Sequence, residues 1–421
     1  MLRVVESFSG IGSQNRALEN IKNKSNVEYE ILNTIEWDIN AIFAYDLIHN
    51  GIQKNNPYEN YSKEELIKKI SSYTLSLDGK NPINISQLVK FNDNTLKTLL
   101  YAIKRTKNLA SIKDVKGKDL PEDIDLLTYS FPCQDLSLSG YFHGDQGGIK
   151  RDAQNSSSLL WEIERILFEL KKQMRGMPKF LLMENVASIT SSRHIENFND
   201  WISSLEELGY SNKYGHLCAE NFGIPQKRKR TFMISVYHGN DPKSKEKVDE
   251  LLNKTIRFDS YNDKINNTKL LSKFLKLDYS IEKYKLEAKI NVPNDTKSRR
   301  KIYQENPIIV SNNKIKVNYV RTLTTKQDRH PNSGNIEIDK KELGLEKGKS
   351  NYRFLTPRET MLLMGFNEKD YEVLIDNNIN ITKHRKMLNK EKIYKLAGNS
   401  IVVNVIEEVF SRIIEMKNEL Y

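Results

Sequence analysis

The residue types best suited to chemistry are a cysteine and a glutamate that each follow an apolar run. Cys133 comes after residues 124–127 (IDLL) and the dipeptide at 131–132 (FP), and Glu184 comes after residues 180–183 (FLLM). Such runs predict buried strands, and open α/β sheets place their chemistry at the carboxyl ends of strands. A thiol there can act as a nucleophile once it is a thiolate. The alternatives are an inert, packed cysteine and a structural glutamate.

A run of basic residues precedes a third predicted strand. Residues 226–230 read Gln-Lys-Arg-Lys-Arg, and the apolar residues 231–236 (TFMISV) follow them. In isolation, a charge run of this kind is typical of a solvated face or of a phosphate-binding patch. Because side chains alternate along a strand, Gln226, Arg228 and Arg230 are expected to alternate outward at its start.

The elements that must position these groups begin with a strand, a glycine turn and a helix. Residues 2–8 (LRVVESF) predict a buried strand, Gly10 and Gly12 a turn, and the apolar positions of 17–21 a helix. In this arrangement backbone N–H groups can approach a cofactor. Many strand–helix turns need glycine only to reach positive φ, so the turn alone is a weak signal.

A second strand is predicted at residues 29–35, and it ends at Glu36 and Trp37. An acid at this place holds ribose hydroxyls in many nucleotide-binding sheets. The neighbouring indole ring is suited to stack on an adenine face. The alternatives are a solvated glutamate and a core tryptophan.

Three further segments shape the predicted organisation. Residues 57–110 are polar with periodic apolar positions, so they predict mostly helix, inserted into the first domain. The glycine-rich residues after Cys133, up to 158, predict a mobile lid or a disordered surface loop. From about residue 238 the composition shifts to Lys, Asn, Asp and Ser, which predicts a domain boundary.

Composition indicates a polyanionic partner. The chain has 421 residues and a net charge of +11, and residues 241–350 contain 25 Lys or Arg against 16 Asp or Glu. A basic segment of this kind favours nucleic acid, although an AT-rich genome would also enrich lysine and asparagine. Only two cysteines occur, which argues against a disulfide framework or a cysteine-rich metal site. We expect a cytoplasmic protein with no membrane span and no signal peptide.

Six segments occur in an order that resembles the DNA (cytosine-5) methyltransferases. They span residues 8 to 400 and are Phe-x-Gly-x-Gly, Pro-Cys-Gln, Glu-Asn-Val, Gln-x-Arg-x-Arg, Arg-x-Leu-Thr-Pro-Arg-Glu and Gly-Asn-Ser. The resemblance implies an α/β fold, with a Rossmann-like S-adenosylmethionine-dependent methyltransferase sheet and a smaller, irregular target-recognition domain. Residues 1–237, completed by 392–421, would form the catalytic and cofactor-binding domain. Residues 238–391 would form the target-recognition domain.

The resemblance also implies roles for individual residues. The catalytic set would be Cys133, Glu184, Arg228 and Arg230, with Arg230 at the cytosine O2 and Arg228 beside Glu184. The cofactor set would be Phe8, Ser9, Gly10, Ile11, Gly12, Glu36, Trp37, Asp114, Pro132, Asn399 and Ser400. The DNA-contacting set would be Gln226, Arg321, Thr322, Leu323 and Thr324. No metal is expected.

The implied reaction is transfer of a methyl group from S-adenosylmethionine to C5 of a flipped-out cytosine in a specific duplex DNA site. Cys133 would attack C6 while Glu184 engages N3, and base flipping would bring the cytosine within reach. A tRNA cytosine-5 methyltransferase and a catalytically inactive DNA-binding regulator on the same scaffold are the alternatives. The expected partner is double-stranded DNA, with a cognate restriction endonuclease plausible and a monomer favoured.

Overall fold

A computed structural model describes residues 1–133, 136, 148–151, 155–261 and 270–421 of the chain. The lid predicted after Cys133 lies mostly outside the described residues. The strands of the first half are β1 (Leu2–Ser7), β2 (Tyr29–Ile35), β3 (Leu126–Tyr129), β4 (Phe180–Val186), β5 (Tyr210–Cys218), β6 (Gln226–Lys227) and β7 (Lys229–Tyr237). Its helices are α1 (Ser13–Ser25), α2 (Ile39–Asn50), α3 (Lys63–Ile70), α4 (Ile85–Leu88), α5 (Asp93–Arg105), α6 (Leu160–Lys172) and α7 (Ile195–Leu208).

A six-stranded sheet with the order β2-β1-β3-β4-β7-β5 forms the centre of the molecule. β1 to β4 pair in parallel, whereas β7 runs antiparallel to both β4 and β5. The predicted strand at 29–35 is confirmed, and the runs before Cys133 and Glu184 form β3 and β4 as neighbours. Cys133 therefore follows β3, and Glu184 lies near the carboxyl end of the adjacent parallel strand β4.

Both faces of the central strands β3 and β4 are buried, which explains why these strands read as apolar runs rather than as alternating patterns. Leu126 packs in a core cluster with α1, α2 and α5, whereas Leu127 packs in a second cluster with α6 and α7. Leu182 and Leu181 divide in the same way. The alternation of side chains along each strand thus supplies apolar groups to two helical layers.

The inserted segment, residues 57–110, is only partly helical. α3 buries Leu66 and Ile70, and α5 buries four leucine and isoleucine side chains along one face. Residues 71–84 form turns and isolated bridges, because Asp78 and its neighbours close a tight loop with side-chain hydrogen bonds. The sequence therefore predicted more helix in residues 57–110 than the structure contains.

The second half is built from short elements. Its strands are β8 (Ile308–Ser311), β9 (Lys314–Ile315), β10 (Val320–Arg321), β11 (Asn335–Glu337), β12 (Tyr352–Phe354), β13 (Asn380–Thr382) and β14 (Arg385–Lys386). Its helices are α8 (Pro242–Thr255), α9 (Glu282–Ile290), α10 (Lys297–Glu305), α11 (Pro357–Leu362), α12 (Glu368–Asp376), α13 (Lys390–Asn399) and α14 (Val403–Leu420). Four strands form a small sheet in the order β12-β11-β8-β9, and β10 pairs in parallel with β6.

Two features of the second half tie it to the central sheet. α8 packs against β5, β7 and α14, with Val248, Leu251 and Leu252 in the main core cluster. The shift in composition at residue 238 therefore does not mark the end of packing around the sheet. The sequence Thr356-Pro-Arg-Glu359 has the spacing that predicts a capping box, and the structure confirms it at the start of α11. Glu359 also pairs with Arg353 in a fully buried ion pair. Among the described residues, no helix is both long and apolar enough to cross a membrane.

Candidate active site

The ends of β3, β4 and β7 bring a hydroxyl, a carboxylate and a guanidinium group together. The Ser130 hydroxyl donates a hydrogen bond to Glu184 Oε2 at 2.6 Å. Arg230 Nε lies 3.4 Å from Glu184 Oε1, and both side chains are largely buried. Because Glu184 is held from both sides, its carboxylate has a fixed position at the carboxyl end of β4.

The loop that carries Cys133 is anchored by two hydrogen bonds to its backbone carbonyls. Asn185 Nδ2 donates to the Phe131 oxygen at 3.0 Å, and the Ser157 hydroxyl donates to the Pro132 oxygen at 2.9 Å. Cys133 itself is only partly buried. The predicted strand end, the proline and Cys133 thus lie together, with the thiol three residues beyond Ser130.

The charged groups around the Cys133 thiol have opposite effects on its pKa. Burial raises the pKa of the Cys133 thiol above its usual range, and the Glu184 carboxylate raises it further. The guanidinium groups of Arg230 and Arg228 lower the pKa of the thiol, with Arg230 the stronger of the two. The two arginines therefore supply the positive charge that favours a reactive thiolate.

Arg228 is also a structural clamp. Its guanidinium donates to three backbone carbonyls, those of Leu323 at 2.9 Å, Gly398 at 3.0 Å and Ser400 at 2.8 Å. Burial lowers the pKa of Arg228 to about 9. The side chain therefore joins β7 to the loop after β10 and to the end of α13, in addition to its charge effect on Cys133.

The glycine turn after β1 adopts the left-handed conformation at three positions. Phe8, Gly10 and Gly12 have φ of 57°, 55° and 77°. A Cβ at residue 12 would lie 2.2 Å from the ring of His49 and 2.7 Å from Tyr45, so only glycine fits there. A non-glycine residue at positive φ costs free energy and is often found at functional sites, which fits a role for Phe8 in this loop.

Glu36 closes the same turn from β2. Its carboxylate accepts the Gly10 N–H at 3.0 Å and the Asp38 N–H at 2.8 Å. Burial raises the pKa of Glu36 to about 7, and the neighbouring Asp38 carboxylate contributes to the increase. Trp37 is partly exposed beside it. The turn also includes Ser9 and Ile11, both buried, and it forms a cradle of backbone N–H groups and one acid.

The structure does not place Asp114 in this cradle. Its side chain is exposed on a turn in which its own N–H bonds to the Ser111 oxygen. The neighbour of Glu36 is instead Asn108, whose side chain accepts from the Glu36 N–H at 3.1 Å and donates to the Glu36 oxygen at 3.0 Å. The prediction that Asp114 supplies an acid to the pocket is therefore not supported, because the turn directs it to solvent.

The end of α13 meets the segment predicted to contact DNA. Asn399 is exposed and Ser400 is buried. A Cβ on Gly398 would lie 2.6 Å from the backbone of Thr324 and Thr325, so this close approach requires glycine. The Gly-Asn-Ser segment therefore packs directly on the loop that follows β10.

Two residues predicted to contact DNA are buried instead. Gln226 has no exposed surface; its side chain accepts the Leu323 N–H at 2.9 Å and donates to the Leu363 oxygen at 2.8 Å. Leu323 is itself 1% exposed. Gln226 does not point outward as expected, because its side chain turns inward to the backbone of Leu323 and Leu363. Arg321 is exposed, and Thr322 and Thr324 are partly exposed.

Sequence reasoning missed several supporting residues. Ser130 and Asn185 hold the carboxylate and the cysteine loop, and their only signal was adjacency to the predicted strand ends. Behind the glycine turn, the Tyr45 hydroxyl donates to the buried Glu6 carboxylate at 2.7 Å, and a ring nitrogen of His49 lies 3.1 Å from the Ile11 oxygen. Burial lowers the pKa of His49 to about 3, so the neutral ring donates to that carbonyl.

The fold is that of a Rossmann-like methyltransferase. The S. pombe Dnmt2 methyltransferase superposes with a TM-score of 0.57 at 17% identity, covering 99% of this chain and 100% of that one. The Entamoeba histolytica methyltransferase EhMeth superposes with a TM-score of 0.55 at 17% identity, covering 99% of each chain. At these identities the likeness establishes the fold alone, and it confirms the predicted fold class.

The sequence comparisons establish the family. The model of the C-5 cytosine-specific DNA methylases matches residues 61–415. The orphan methyltransferase M.SssI of Spiroplasma monobiae is 34% identical, over 98% of this chain and 97% of that protein. The Type II methyltransferase M2.ScrFI of Lactococcus lactis subsp. cremoris is 33% identical, over 98% and 99%. The chain belongs to the C-5 cytosine-specific DNA methylase family, and the predicted DNA cytosine-5 methylation is confirmed.

Proposed function

We propose that Cys133 is the nucleophile of a DNA (cytosine-5-)-methyltransferase and that Glu184 and Arg230 orient the target base. The observation that carries this proposal is the arrangement of groups beside the thiol. Cys133 lies three residues beyond Ser130, the Ser130 hydroxyl donates to the Glu184 carboxylate, and that carboxylate pairs with Arg230. A thiolate, a fixed carboxylate and a buried guanidinium are the groups that addition to cytosine requires.

The chain's own residues divide the work as follows. The Cys133 thiolate adds to C6 of a cytosine that has left the base stack. The Glu184 carboxyl group passes a proton to N3 and Arg230 bonds to O2, so that negative charge developing on the ring is neutralised. C5 then becomes nucleophilic. After C5 is methylated, loss of its proton and expulsion of Cys133 release 5-methylcytosine.

We also propose that S-adenosylmethionine is the cofactor, held by residues 8–12, Glu36 and Trp37, with Pro132, Asn399 and Ser400 at the edge of the pocket. When bound, this cofactor supplies the electrophilic methyl group. The cradle fits it, because a Cβ at Gly10 would meet no atom within 4 Å, so the turn leaves open space there, and because Glu36 offers acceptors for ribose hydroxyls. Binding and orientation of the nucleoside are the contributions of Glu36 and Trp37.

For DNA, we propose that residues 1–237 and 392–421 perform the chemistry and that the segment within 238–391 selects the duplex site. The basic residues concentrated there support this division. The names of the relatives include Type II and orphan methyltransferases, so we infer a modification enzyme that acts with or without a cognate endonuclease.

The test is bisulfite sequencing of DNA from a host that expresses the chain. We expect 5-methylcytosine at one recurring sequence context, and none when Cys133→Ser is expressed to the same level. Methylation by the serine variant at an undiminished level would contradict the proposal. A wild-type chain that methylates tRNA but leaves duplex DNA unchanged would contradict the choice of substrate.

A further inference from the structure

The proposed cofactor pocket is backed by contacts from two distant parts of the chain. Lys395 Nζ, on α13, lies 2.7 Å from Asp38 Oδ2 and 2.7 Å from the Asp78 carbonyl oxygen. Asp38 donates its backbone N–H to Glu36 Oε1 at 2.8 Å. A single ammonium group thus connects the loop after β2, the inserted segment and the helix that ends at the Gly-Asn-Ser segment.

The inserted segment packs closely against the Lys395 ammonium group. The backbone of Ser76 donates to the Trp37 oxygen at 2.7 Å and accepts from the Ile39 N–H at 2.9 Å, which extends the wall of the pocket. Gly79 has a φ of 72°, and a Cβ there would lie 2.4 Å from Lys395 Nζ. The loop at 76–79 therefore leaves space for the lysine where a larger residue would displace it.

The charges explain why a cation is needed at this position. Asp38 and Glu36 carry like charges two residues apart, and a neighbouring like charge disfavours the ionised carboxylate. Asp38 raises the pKa of Glu36, whereas Lys395 lowers it. The other charged groups of the cluster are Lys392, which donates to the Leu77 oxygen at 2.6 Å, and Asp78, whose carboxylate bonds within its own loop.

We infer that Lys395 is a positioning residue for the cofactor: by pairing with Asp38 it keeps the Glu36 carboxylate ionised and fixed toward the ribose. This inference rests on the proposed cofactor site at Glu36. An ionised carboxylate is a stronger hydrogen-bond acceptor than a protonated one. Lys395 acts through Asp38 and Glu36, and the inserted loop at 76–79 holds it in place.

The experiment is calorimetric titration of the full-length protein with S-adenosylhomocysteine across a pH range centred on about 7. Wild-type affinity is expected to rise with pH as Glu36 ionises. In Lys395→Met the midpoint should move to higher pH, and binding at neutral pH should therefore weaken. Lys395→Arg, which keeps the charge, should restore the wild-type midpoint.

Two further variants distinguish an effect of the Lys395 charge on the binding midpoint from an effect of altered packing. Lys390→Met, in the first turn of the same helix, also removes a contact to a carbonyl, so it should keep the wild-type midpoint. Combining Asp38→Asn with Lys395→Met removes both opposing charges, and the midpoint should return toward the wild-type value. Thermal unfolding of each variant without ligand confirms that it is folded.

The outcomes distinguish the inference from the proposal on which it rests. If Glu36→Ala binds S-adenosylhomocysteine as tightly as the wild type, the proposed cofactor site is wrong. If Glu36→Ala weakens binding but folded Lys395→Met keeps the wild-type midpoint, the cofactor site stands and the positioning role of Lys395 is contradicted.

Discussion

Arg230 and Glu184 form an ion pair across the antiparallel strands β7 and β4, with Nε 3.4 Å from Oε1. Arg230 lies opposite Val186, so it reaches Glu184 as a diagonal neighbour, which long side chains can do. The same guanidinium lowers the pKa of Cys133. One arginine therefore orients the carboxylate and favours the thiolate at the same time.

Replacing Arg230 is expected to affect rate and pH dependence together. In Arg230→Gln the pKa of Cys133 should rise further, because the stronger of the two guanidinium groups that oppose the effect of burial is lost. We expect a rate lower by roughly 100-fold, as for loss of a preorganised charge partner. The acidic limb of the single-turnover pH profile should move to higher pH. Arg230→Lys keeps the charge and should move the limb less; an unmoved limb in Arg230→Gln would contradict this role.

Ser130 is expected to affect the methylation rate through its hydrogen bond to Glu184. Ser130→Ala removes the donor at 2.6 Å from Glu184 Oε2. Because hydrogen bonds to charged groups contribute about 1.5–3 kcal/mol, single-turnover methylation should slow by roughly ten- to a hundredfold with little change in DNA affinity. Ser411→Ala, on the exposed face of α14, serves as the matched control. Equal rates for both variants would mean that Glu184 does not depend on this contact.

Gln226 should behave as a structural residue. Gln226→Ala leaves the buried Leu323 N–H and Leu363 oxygen without their partner. The free energy of unfolding is expected to fall by about 1–3 kcal/mol, while the preferred DNA sequence stays the same. Denaturant titration and methylation mapping measure the two effects, with the exposed Gln173→Ala as control. A changed sequence preference at wild-type stability would show that Gln226 reads DNA after all.

The exposed residues after β10 are the candidates for reading bases. Arg321, Lys326, Arg329 and His330 are exposed, whereas Gln327 is buried and bonds within its own loop. Alanine at a base-reading position should relax one position of the methylated sequence at a cost of about 1–3 kcal/mol, and alanine at a phosphate contact should weaken all sequences alike. If methylation mapping shows the parent preference in all four variants, the recognition surface lies elsewhere.

Local signals were enough to predict the catalytic half of the fold. β2 and the cap at Thr356 follow from strand composition and from the Thr-Pro-x-Glu pattern, since both depend on neighbours in the chain. Cys133 and Glu184 were chosen because the Pro-Cys-Gln and Glu-Asn-Val segments resemble the family, and the apolar runs before them form adjacent strands.

Long-range contacts could not be predicted from the sequence. Lys395 and Asp38 are 357 residues apart, and neither carries a local sign of the other. Gln226 was predicted to face outward because side chains alternate along a strand, but its side chain bonds to the backbone of Leu323 and Leu363, which are distant in the chain. Asp114 was chosen by its position in the chain, whereas Asn108 contacts Glu36 through a turn that the pattern did not reveal.

The most direct test of the central claim is covalent trapping. Duplex DNA with 5-fluorocytosine at the target is incubated with the protein and S-adenosylmethionine, and denaturing electrophoresis with peptide mapping locates the adduct. Because fluorine at C5 blocks the final proton loss, we predict a stable adduct on Cys133, none with Cys133→Ser, and an unchanged yield with Cys218→Ser. An adduct on another residue, or full methylation of ordinary cytosine by Cys133→Ser, would contradict the account.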